Sequence, residues 1–115
     1  MRKRDDRTRL LHMLEHSKEA VELAGDMSKE DLYDKRTLEL SLTKLVEIVC
    51  EAAARVSPEF QELHAEIPWQ EIIGLRNRLV HGYDAVDLDI LWDVVKLDLP
   101  ELVNALERAL GSSKP

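Results

Sequence analysis

From about Lys29 to Val56 neither glycine nor proline interrupts the chain. Over that stretch Leu38, Leu42, Leu45, Val49 and Ala52 or Ala53 recur three or four residues apart, the period of one helix face. A stripe of that length has to be covered by other elements, and the remaining segments offer helical patterns to cover it. Phe occurs once and Gly four times, so aromatic β cores and Gly-rich turns are scarce. Leu, Ala, Glu, Lys and Arg dominate, and all are good helix formers. The expected fold is all-α, an up-and-down bundle of four to five helices with this segment as its spine.

The other segments fit around it. From about Arg4 to Leu23, Leu10, Leu14, Val21 and Ala24 lie near helical spacing, Leu11 widens the face, and Gly25 reads as a stop. Ser28 reads as the N-cap of the spine, with acids in the first turn. Ser57-Pro58 ends the spine and opens a short helix to His64. Pro68 opens a helix from Trp69 to His81, and Gly82-Tyr83-Asp84 forms a turn. Asp87 caps a helix holding Leu88, Leu91, Val94 and Val95, which Pro100 should kink or restart after Asp98. Leu102, Val103, Leu106 and Leu110 finish the pattern. No repeat, linker or convincing strand is visible, and residues 1–115 read as a single domain. Several apolar faces are wide for a monomer of 115 residues, which points to a homodimer.

Composition narrows the function. Apolar residues make up 44% and charged residues 34%, a globular balance. One cysteine, Cys50, allows no internal disulfide, which suits a cytoplasmic protein. The basic start, Met1-Arg2-Lys3-Arg4, leads into no apolar region, so no signal peptide is expected. No apolar run approaches the roughly 18–20 residues of a membrane span. Net charge is −7, with a local +3 over residues 1–9 and −10 over the rest. That balance argues against binding nucleic acid through bulk charge. It reads either as simple solubility or as a surface for a basic partner. The glycines, at 25, 74, 82 and 111, cannot form a phosphate-cradling loop, and there is no CxxC or HExxH. No cofactor is expected. His12 and His16 share an i, i+4 spacing, but nothing identifies further ligands, so they read as ordinary helix surface and no metal is expected.

Chemistry concentrates in Arg76-Asn77-Arg78-Leu79-Val80-His81-Gly82-Tyr83. Arginine is a permanent cation suited to phosphate. Histidine exchanges a proton near neutral pH. Tyrosine offers a hydroxyl and a stacking face. Together these can bind and cleave a phosphodiester without a metal. In an ideal helix, five residues turn about 140°, so Arg76 and His81 share a face only if the helix unwinds near Gly82. Glu51, beside Ala52, Ala53 and Ala54, reads either as a solvated acid or as a group orienting Arg76 or His81.

The spacing R-x-x-x-x-H-x-Y, with Asn77 after the arginine, resembles the signature of the HepT-like toxins in the HEPN ribonuclease superfamily. Arg36 to Val56 resembles that family's long second helix, and Ile67 to Leu110 its C-terminal half. Met1 to Leu23 matches weakly. The second helix of the family often carries Gly-Glu-Ala where this chain has Cys50-Glu51-Ala52, which bears on how closely another helix approaches position 50. The resemblance implies an endoribonuclease toxin with Arg76 and His81 as catalytic residues. Asn77, Arg78 and Tyr83 would touch RNA, and the site would lie in a cleft between two subunits. It also implies a type VII-like toxin–antitoxin pair. The partner it implies is a minimal, MntA-type nucleotidyltransferase antitoxin that would place AMP on Tyr83. A competing reading keeps the fold and that partner but makes the chain a non-catalytic substrate-binding or interaction module.

Overall fold

The computed structural model describes residues 2–81 and 85–112. Helix α1, Arg2–Ala24, buries Asp6, Leu10, Met13, Ser17, Ala20 and Ala24, an unbroken alternation of four- and three-residue steps. Such a stripe lies along one side of a helix. It packs against the third and last helices of the bundle. Gly25 follows, and its N–H donates to the Glu22 carbonyl, as a helix stop should.

The expected spine is two helices. Helix α2 spans Lys29–Asp34 and α3 spans Arg36–Ala54, with Lys35 extended between them at φ −111°, ψ 99°. The reason lies in register. Leu38, Leu42, Leu45 and Val49 define the buried side of α3. Continued backward, that side would meet Lys35 and Asp31, whereas the buried residue is Leu32. Breaking the helix at Lys35 turns Leu32 inward and spares both charges. The start of α2 is fixed by a capping box: the Ser28 hydroxyl accepts from the Asp31 N–H, and the Asp31 carboxylate accepts from the Ser28 N–H. The same α2 reaches across to the sixth helix.

Ser57 caps α4, Pro58–Leu63, accepting from the Phe60 N–H. The buried Asp6 of α1 accepts from the Ser57 N–H at 2.9 Å and its hydroxyl at 2.7 Å, tying the two elements together. Helix α5, Trp69–Leu79, begins with Trp69, whose indole N–H donates to the carbonyls of Gln61 and His64. It ends two residues before the expected His81. Val80 leaves the helix at φ −99°, ψ 123°. Val80–His81 (β1) then pairs antiparallel with Ala85–Val86 (β2), in the register Val80↔Val86 and His81↔Ala85. This two-residue ladder corrects the expectation of no strand. β-Branched valines favour the extended backbone at both sites, and the Asp87 N–H extends the pairing with a 2.8 Å bond to the Leu79 carbonyl.

Asp87 caps α6, Leu88–Asp93, which passes through a π-helical turn, Val94–Asp98, into α7, Leu99–Ser112. The Leu99 N–H reaches back to the Val94 carbonyl. Pro100 explains the wider turn: it has no N–H, and its ring would clash with the carbonyl four residues earlier in a regular α-helix. Helices α1, α3, α5 and α6–α7 enclose a core that includes Met13, Leu42, Val46, Val49, Leu79, Leu91 and Leu106. The all-α bundle read from the sequence is the fold observed. Among the described residues no helix is long and apolar enough to cross a membrane.

Candidate active site

Arg76 lies in the last turn of α5, with a side chain 64% exposed. It borders a groove of about 910 Å³. Helix α3 runs between α1 and α5 and contributes Lys44, Glu47, Ile48 and Glu51 to the groove, with Arg55 from its C-cap. Helix α1 supplies Asp5, Thr8, Arg9 and His12, and α5 supplies Ile73 and Arg76. Charges of both signs therefore line it, with two half-exposed isoleucines among them.

The guanidinium faces a carboxylate of α3. Arg76 Nε lies 3.8 Å from Glu47 Oε2. Glu51, read from the sequence either as a solvated acid or as a group orienting Arg76 or His81, meets Arg55 at 3.3 Å on the exposed surface. The sequence reasoning missed Glu47. Cys50 is buried, and its thiol is pushed up to about 11, first by burial, with the Arg76 backbone against it pulling the other way. Glu47 and Glu51 are four residues apart and differ by only about 40° around α3, so the packing of α3 on α5, and not register, selects Glu47.

The remaining motif residues divide. Asn77 and Arg78 are exposed. Arg78 is about 200° around α5 from Arg76 and does not border the groove. Its charge acts on Asp98 of the π turn, whose carboxyl is raised above the usual range by burial, with Arg78 opposing that rise. The structure thus does not bring Arg76 and Arg78 together. His81 is placed through its backbone, in β1 opposite Ala85. The expected 140° offset from Arg76 no longer applies, because the helix has ended before His81. Tyr83, together with Gly82 and Asp84, lies outside the described residues.

His12 and His16 read as surface, and His16 Nδ1 donates to the His12 carbonyl at 2.7 Å, a local helix contact. Lys44 is exposed and makes no ion pair among the described residues.

The all-α bundle is compatible with a HEPN domain. Residues 13–109 match the family model described as Ribonuclease HepT-like, and the chain belongs to that family. It is thereby an endoribonuclease by class. It is 36% identical over 100 residues to "Probable ribonuclease HepT" of Thermococcus cleftensis, covering 83% of this chain and 90% of that one. It is 31% identical over 107 residues to "Putative RNase MJ1380" of Methanocaldococcus jannaschii, covering 93% and 98%. No solved structure matches the chain.

Proposed function

We propose that this chain is the toxin of a type VII-like toxin–antitoxin pair, a homodimeric, metal-independent endoribonuclease acting by 2′-hydroxyl transesterification. The observation that carries the reading is Arg76, a permanent cation at an exposed helix end, bordering a groove and followed after five residues by His81 on extended backbone. His81 takes the proton from the attacking 2′-hydroxyl or returns one to the leaving 5′-oxygen. Each chain supplies one motif histidine, so two chains facing across a cleft would supply both the base and the acid. Arg76 stabilises the added negative charge of the phosphorane-like transition state. The bonds made and broken are 2′-O–P and P–5′-O, which gives a 2′,3′-cyclic phosphate and a 5′-hydroxyl.

Asn77 and Tyr83 position the RNA, and Arg78 holds a phosphate on the far side of α5, away from the groove. Control falls to Tyr83, which takes AMP from ATP through a cognate nucleotidyltransferase. The added nucleotide brings bulk two residues from His81 in the chain, and its phosphate competes for Arg76. Intact mass after co-expression should rise by AMP units in the wild type and not in Tyr83→Phe.

The test is cleavage of total RNA by the purified chain. Wild type should cleave and arrest growth when expressed alone. Arg76→Ala and His81→Ala should stay folded and lose at least about 10²-fold in rate. RNA patterns identical across the three proteins would favour a non-catalytic interaction module instead.

A further inference from the structure

Helix α3 places an acid where an RNA-binding groove should least want one. Glu47 lines the groove, and as a carboxylate it repels phosphate. Stability does not account for it: Arg76 is 64% exposed and Glu47 29%, and ion pairs that reach solvent contribute little. The geometry of the contact does. The nitrogen nearest Glu47 is Nε, the one closest to the arginine's aliphatic stem. At 3.8 Å the contact is an ion pair without a hydrogen bond, so it draws the guanidinium toward α3 while leaving its N–H donors available to a phosphate.

Resting on the ribonuclease reading above, we infer that Glu47 is a positioning residue that fixes the Arg76 fork for the scissile phosphate. Two features make the contact specific to this helix turn. Glu47 stands one turn before Cys50, which is buried with the Arg76 backbone beside it. Glu51, one turn further along, is already taken by Arg55. Arg76 is the longest-reaching cation of α5 on this side. Held only by its own rotamers, it would sample many orientations, since a four-torsion side chain loses much freedom on fixing. Glu47 removes part of that freedom before RNA arrives.

The inference and a purely electrostatic role for Glu47 have opposite signs. If Glu47 only adds negative charge, removing it strengthens RNA binding and speeds cleavage. If it positions Arg76, removing it lowers turnover although the groove becomes more positive. The experiment measures kcat and KM for the full purified chain on a fluorogenic single-stranded RNA of mixed sequence. Wild type, Glu47→Ala, Glu47→Gln and Arg76→Ala are compared, with circular dichroism to establish equal folding. Glu47→Ala should lower kcat about tenfold with KM unchanged or lower. Glu47→Gln, which keeps nearly the same shape and a polar oxygen but loses the charge of the ion pair, should fall between wild type and Glu47→Ala. Glu47→Ala cleaving at the wild-type rate or faster, while Arg76→Ala is inactive, overturns the inference and leaves the ribonuclease site standing. Arg76→Ala cleaving like wild type overturns both.

Discussion

Cys50 shows how a buried neighbour sets the conditions for an exposed one. Its thiol is pushed up to about 11 from 9.0, chiefly because burial disfavours the thiolate. A rise of about two units cuts the thiolate population about 100-fold at pH 8. The expected outcome is that native protein resists iodoacetamide at pH 8 while the chain in urea is labelled at once, read by intact mass. The sign for stability follows. A group whose native pKa is raised contributes stability below its unfolded value, and that contribution is lost as pH climbs from 9.0 through about 11. The sequence showed Arg76 clearly, since an arginine, a histidine and a tyrosine in eight residues are hard to overlook. It did not single out Glu47, because two acids, Glu47 and Glu51, lie one turn apart on the same helix. Only the packing of α3 on α5 distinguishes them.

Helix starts were legible because their signals are local. Ser28 and Asp87 cap as read, Pro58 opens α4 as read with Ser57 as its cap, and Gly25 stops α1. The break at Lys35 was missed because no glycine or proline marks it; burial of Leu32 decides it instead. What that break accomplishes is visible at the other end of α2. The Tyr33 hydroxyl donates to Asp89 Oδ1 at 2.6 Å, and Lys29 Nζ lies 3.0 Å from the same oxygen, so α2 grips the start of α6. Asp89 is held below its usual 3.8, first by the Tyr33 hydroxyl and then by Lys29. A depressed carboxyl contributes stability above its unfolded value and loses it as pH falls below about 3.8. Tyr33→Phe should therefore lower the melting temperature at pH 6, and the difference from wild type should shrink at pH 2.5. A difference independent of pH would mean the ring, and not the hydroxyl, makes the contact.

The molecule measures 46 × 29 × 20 Å, and the groove between α1 and α5 opens on its surface. A second copy seated on that face would cover Ile48 and Ile73 and bring two Arg76 side chains near one another. Sedimentation at micromolar concentration should give about twice the 13.2 kDa chain mass. Ile48→Glu should return the monomer mass, keep its helical content and stop RNA cleavage. A wild-type monomer that cleaves RNA would refute the shared cleft. This expectation came from the width of the apolar faces in the sequence, and the all-α fold came from its periodicity. The ladder at Val80 was not legible, because two residues are too short a run to show alternation.

That ladder separates the two proposed catalytic groups mechanically. Arg76 rides on α5, whose Leu75 and Leu79 are anchored in the core, so it is displaced only when the bundle itself opens. His81 rides on a strand joined to its neighbour over two residue pairs. Such a unit opens at a small fraction of the free energy of global unfolding. On the proposed chemistry, heat would therefore part the acid–base group from the phosphate clamp while the helices are still intact. The enzyme's working ceiling would lie below its melting point, set by the weakest few backbone bonds and not by the core.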